Sequence, residues 1–205
     1  MAVQKQVAPE KVSDELQRWL QGDGDKTLGG LIDAFGKRSF AIVFVVLMAV
    51  PALPLPTGGV THVFEIVVML LALELIVGLR AVWLPQRWRR LELAGPRQEK
   101  FLATLLRRIR GLERFSRPRG RWLFGHRLSG GVFGLVVLGL ALSAFLAPPF
   151  SGLDTLPSIG VVVLALGYLL ADVVLAAAGL LIGALGVASV IFLGSIAVKA
   201  FKSIF

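Results

Sequence analysis

Glu65 and Glu74 stand inside an otherwise apolar run. Ionisable groups at membrane depth are costly enough to mark sites. Helical spacing puts Thr61, His62 and Glu65 on one face, so the hydroxyl and the imidazole can both hydrogen-bond the Glu65 carboxylate. Glu74 follows nine positions later, about 180° around a helix, so the two carboxylates do not converge as an acid–base pair. Asp172 interrupts a later apolar run. Pairing with a loop arginine, accepting a substrate proton and marking a turn are all open to it. Glu74 and Asp172 are therefore the candidate ion-pair or proton positions. His62 and His126 are the two histidines, cysteine is absent, and no HExxH, GxSxG or P-loop pattern occurs. No catalytic residue, metal site or cofactor is expected, and an intramembrane enzyme ranks below a handling or scaffolding role.

These polar residues sit beside a proline-broken apolar hairpin that occurs twice. One copy passes through Pro51, Pro54, Pro56, Thr57 and Gly58, and the other through Pro148, Pro149, Ser151 and Gly152. Leu71-Ala72-Leu73 matches Leu164-Ala165-Leu166 at an offset of 93, and Pro54 matches Pro148 at 94. Breaks inside apolar segments free backbone groups that lipid cannot satisfy, and they persist where protein or a wet cavity covers them. Paired breaks in two halves of a chain point to a binding site. The candidate substrate-binding set is Pro54, Pro56, Thr57, Thr61, His62 and Glu65 with Pro148, Pro149, Ser151 and Asp154. A plain loop, or residues facing water at the outer mouth, is the competing interpretation.

The elements that must position this set are membrane helices. The 205 residues are 56% hydrophobic, and the apolar ones fall in long blocks, which describes an all-α polytopic membrane protein. The apolar stretch 39–53 has 15 residues, about 22 Å of helix against a bilayer core of about 30 Å. That shortfall favours a re-entrant or broken hairpin over two plain spans. The expected organisation is cytoplasmic amphipathic helices over 1–38, a first hairpin over 39–79, a basic connection over 80–130, a second hairpin over 131–175 and a C-terminal helix over 176–205. Residues 13–36 read as two short helices, capped by Ser13 and Thr27. Gly179 and Gly183 form a GxxxG pair, which serves either packing within the chain or a homodimer.

Charge sets the orientation. Residues 80–130 hold 14 of the 22 lysines and arginines and three acids, which places this connection and the N-terminus in the cytoplasm. Within it, Leu102, Leu105, Leu106, Ile109 and Leu112 form a helical stripe flanked by Arg107, Arg108, Arg110 and Arg114. An interfacial helix on anionic headgroups is expected, rather than a nucleic-acid surface. Arg80, Arg87, Arg89 and Arg90, nearest the exit of the first hairpin, are the candidate phosphate or lipid-headgroup ligands, since arginine matches phosphate bidentately.

The order of motifs resembles a known family. Thr27-Leu28-Gly29-Gly30-Leu31 precedes Phe35-Gly36-Lys37-Arg38-Ser39-Phe40, then Pro54-Leu55-Pro56, Gly78-Leu79-Arg80-Ala81-Val82-Trp83-Leu84-Pro85, Arg117-Pro118-Arg119 and the second proline pair. Over nearly the whole chain this is similar to the ExoD family of bacterial exopolysaccharide-synthesis proteins. The chain departs from that pattern at Glu74, where a glutamine is expected. It departs again at Leu170-Ala171-Asp172-Val173, where an acidic pair and a glycine are expected. The resemblance implies a bacterial inner-membrane protein needed for making or exporting an envelope polysaccharide. Two roles follow: handling a lipid-linked, polyprenyl-type precursor, or serving other polysaccharide-synthesis proteins as an assembly or regulatory subunit.

Overall fold

The structure, a computed structural model, describes residues 11–22, 24–35, 38–53, 60–79, 82–83, 85–90, 92, 96–116, 120–124, 127–148 and 151–204. Among the described residues the chain is all-helical. The helices are α1 (Val12–Gln21), α2 (Leu28–Phe35), α3 (Ser39–Met48), α4 (Val60–Val77), α5 (Gln86–Arg89), α6 (Pro96–Phe115), α7 (Arg121–Phe124), α8 (Arg127–Leu146), α9 (Thr155–Leu169) and α10 (Val173–Ile204). Among the described residues, two stretches are long and apolar enough to cross a bilayer, Ser129–Leu146 and Val173–Ser195. Their outward faces carry Val132, Leu135, Leu142 and Leu146 on α8, and Leu180, Leu181, Leu185 and Ile191 on α10. Apolar surface on that scale suits lipid, because soluble monomers keep contiguous apolar patches to a few hundred Å².

All ten residues of α3 are buried. A helix with no polar face must be enclosed on every side, and α2, α4 and α9 pack around this one. Ten residues give about 15 Å of helix, half a bilayer core. The remaining apolar residues to Leu53 run on as turns. Around α3, α4 packs along α8, and α9 packs along α3 and α8. On α4 and α8 the contacts run antiparallel: a Cβ on Gly134 would stand 2.9 Å from the Ala72 carbonyl oxygen, whereas His62 meets Phe145 toward the opposite ends.

The closest approach is between α9 and α10. Side chains added at Gly160, Gly167 and Gly179 would overlap the backbones of Gly183, Ala176 and Leu164, while one at Gly186 would collide with Pro157. These four pairs step along one antiparallel register. The GxxxG pair therefore packs within the chain, Gly183 also seating Leu140 of α8. Small residues let helix backbones approach to van der Waals contact where lipid supplies no hydrophobic drive.

The turn joining these two helices ends α9 in a Schellman arrangement. The Asp172 N–H reaches the Gly167 carbonyl at 2.8 Å, and the Ala171 N–H reaches Tyr168 at 3.2 Å. This requires a left-handed residue, and Ala171 holds φ 52°. Glycine adopts that conformation without the Cβ penalty. Ala171→Gly is therefore expected to stabilise the protein by about 0.5–1 kcal/mol, read as a raised unfolding midpoint in detergent. A lowered midpoint would show that the backbone there is not strained.

Below the bundle, α1 lies antiparallel on α6. Ser13 does not cap α1 as its sequence position suggests. The N-cap is Lys11, and Ser13 is buried in the first turn. Its N–H and hydroxyl both donate to Glu113, at 3.1 Å and 2.5 Å. First-turn N–H groups lack helical partners, and here a carboxylate 100 residues away supplies one. On α2 the Thr27 hydroxyl accepts the Gly30 N–H at 3.2 Å. Leu106 and Ile109 are buried in the fold beside α1, so this part of the α6 stripe faces protein, while Arg107, Arg108, Arg110 and Arg114 are exposed. The side chains of Leu102 and Leu105 lie outside the described residues.

Candidate functional site

One stripe of α4 points into the bundle: Thr61, Glu65, Val68 and Ala72 are all buried. Their spacing is that of a single helix face, so Glu65 enters the core because its apolar neighbours must. Glu65 is fully buried. Its Oε2 lies 2.7 Å from the His62 Nδ1. Its Oε1 has no hydrogen-bond partner among the described residues.

The second half of the chain closes over this pair. The His62 ring meets Phe145 of α8 edge-on, with centroids 5.2 Å apart. Asp154, in the turn before α9, lies within electrostatic reach of Glu65. That turn is held by its own bonds. The Ser158 hydroxyl donates to the Asp154 carbonyl at 2.6 Å, and the Ser151 hydroxyl donates to the Pro148 carbonyl at 2.6 Å. Pro148 and Ser151 are exposed, whereas Ser143 and Ser158 are buried. The structure thus brings Thr61, His62, Glu65 and Asp154 to one end of the bundle. Pro54, Pro56, Thr57 and Pro149 lie outside the described residues, as do Arg80 and His126.

Phe145 is the contact that residue type did not announce. Its signal was position alone, three residues before Pro148. The geometry offers an imidazole–carboxylate pair that holds a proton in either arrangement, imidazole donating to carboxylate or carboxylic acid donating to imidazole. The orphan Oε1 is a buried acceptor, and leaving such a group unmet costs about 1–3 kcal/mol. A hydroxyl or N–H of a ligand would recover that cost. Among the described residues no group of three or more metal-ligating side chains occurs.

The other predicted positions have structural partners. Glu74 is half-buried, and its Oε2 accepts the Trp83 N–H at 2.9 Å. This bond folds the chain back along α4, so that Arg87 and Trp88 line a cavity of about 160 Å³ with Leu28, Val63, Phe64 and Val67. Arg87 therefore stands beside the early turns of α4, not at its exit. Arg89 pairs with Asp33 at 2.6 Å, and Arg90 is exposed. Asp172 caps α10: its Oδ1 accepts the Val174 and Leu175 N–H groups at 3.0 Å and 3.3 Å. Its Oδ2 accepts the Ser116 hydroxyl at 3.0 Å.

Comparison with known proteins gives the wider context. Residues 12–192 match the family model described as exopolysaccharide synthesis, ExoD. An uncharacterized protein of Synechocystis is 29% identical over 149 residues, covering 73% of this chain and 69% of that protein. Protein ExoD of Rhizobium meliloti is 29% identical over 157 residues, covering 75% of this chain and 64% of that protein. The chain thus spans slightly less than two thirds of that relative's length. No solved structure matches the chain. With the family model covering nearly all of the described bundle, the chain belongs to the ExoD family of exopolysaccharide synthesis.

Proposed function

We propose that this protein serves exopolysaccharide synthesis in the bacterial inner membrane, with its N-terminus in the cytoplasm, by holding a lipid-linked, polyprenyl-type precursor in the notch at Glu65. The carrying observation is the fully buried Glu65 carboxylate, with one oxygen on His62 and the other without a partner among the described residues, at the end where His62 meets Phe145. A sugar hydroxyl is a donor of the kind Oε1 lacks among the described residues. The repeat supports the same reading. If α3–α4 and α8–α9 are related by a two-fold, the α4–α8 contact must recur between α9 and α3, and both contacts are present. Among the described residues of the first-hairpin set, the exposed Arg87 and Arg90 are the cations left for a phosphate, Arg89 being engaged by Asp33.

A photoactivatable polyprenyl-phosphate analogue in nanodiscs tests this. Crosslinks are expected within residues 57–65 and 145–154. Crosslinks confined to the outward faces of α8 and α10 would mean ordinary lipid contact and would sink the proposal. A flux assay in proteoliposomes then separates carrying from presenting. Crosslinking at the notch without movement of labelled lipid would assign the protein to assembly or regulation of the polysaccharide machinery.

A further inference from the structure

The layer beneath the bundle contains a second site with different chemistry. Between α1 and α6 lies a cavity of about 440 Å³, within the range of small-molecule sites. Lys26, Arg107 and Arg110 line it together with the carboxamides of Gln17 and Gln21, and Leu106 lines it as an apolar wall. No carboxylate is among the described residues that line it. Three cations facing one space repel each other unless an anion joins them.

Their positions are held by the fold. Lys26 Nζ donates to the carbonyls of Trp19 and Gly22, and it stands 5.4 Å from the centroid of the Trp19 ring. Arg110 donates to Gln17 Oε1, and Arg107 donates to the Thr104 hydroxyl at 3.3 Å. The helix pair itself is clamped by Glu113 on Ser13. A guanidinium has five N–H donors, so these bonds leave each arginine donors for a ligand.

We propose that this cavity is a phosphate-binding site, taking a phosphate or diphosphate ester on Lys26, Arg107 and Arg110. Guanidinium groups meet phosphate oxygens in paired, charge-assisted hydrogen bonds, and the carboxamides can donate to the bound ester. Such a group could belong to a soluble ester or to a lipid headgroup. The site uses none of the notch residues, so its failure would leave the reading of Glu65 untouched.

Trp19 is a local reporter. The full chain carrying Trp83→Phe, Trp88→Phe and Trp122→Phe is placed in phosphatidylcholine nanodiscs and titrated with inorganic pyrophosphate. A saturable change in Trp19 emission is expected, weakened at least about tenfold by Lys26→Ala or by the Arg107→Ala/Arg110→Ala pair. Arg108→Ala/Arg114→Ala, which removes equal charge from exposed positions outside the cavity, should change it less than about twofold. Repeating the titration in phosphatidylglycerol nanodiscs identifies the source. Apparent affinity lowered more than in the Arg107→Ala/Arg110→Ala control points to a headgroup already in the site, and unchanged affinity points to a soluble ester. No saturation, or equal weakening by both arginine pairs, would overturn the proposal. Calorimetry on the native chain gives the same readout if the tryptophan variant does not fold.

Discussion

Leucine in place of Gly179 is expected to destabilise the protein by about 3 kcal/mol or more, the upper end for an overpacked core. The reason is what the new side chain would meet. A Cβ there overlaps the backbone of Leu164, which cannot rotate aside as a flexible side chain can. Relief would require α9 and α10 to separate, opening the seam that runs from Ala176 with Gly167 to Gly186 with Pro157. Gly139→Leu is the matched control, since an added Cβ at Gly139 meets nothing within 4 Å. Its effect should stay within about 0.5 kcal/mol. Unfolding midpoints in detergent compare the two. Equal midpoints would refute the seam as described. A changed oligomeric state with an unchanged midpoint would move Gly179 and Gly183 to an interface between copies.

Glu65→Gln should separate stability from function. The amide keeps nearly the shape of the carboxylate and can still hydrogen-bond His62. It also removes a charge from a fully buried position, where carboxylates are costly unless well paired. Stability is therefore expected to hold or to rise by about 1–2 kcal/mol. Polysaccharide output in a complementation strain should nevertheless fall at least about tenfold, because a ligand donor loses the charge-assisted acceptor at Oε1. Full output from Glu65→Gln would reduce the pair to a packing feature. Lost output accompanied by a lower unfolding midpoint would mean that the carboxylate is structural.

Much of the architecture was legible along the chain. The apolar blocks and the helices they form each depend on a few adjacent residues, and local composition reports them directly. The His62–Glu65 contact was legible for the same reason, being a matter of helical spacing. Two local expectations fared differently. Thr27 accepts the N–H of Gly30 as a cap should, whereas Ser13 lies inside its helix, where Glu113 accepts its N–H and hydroxyl. Arg87 was expected at the exit of the first hairpin, but the Trp83–Glu74 bond turns the chain back along α4.

By itself, then, the sequence determined the helical, lipid-facing character of the chain, the family motifs and the residues available for polar chemistry, because periodicity and composition are properties of neighbours. Only the tertiary structure decided that Oε1 of Glu65 is sealed without a partner among the described residues, that Phe145 covers His62 and that Asp154 stands near. It also decided that the GxxxG pair is satisfied within the chain, and that Lys26 faces Arg107 and Arg110 across one cavity. Each of these depends on residues from different helices or the turns beside them, many of them dozens of positions apart. Their meeting depends on the register of one helix against another, and no local pattern encodes that register.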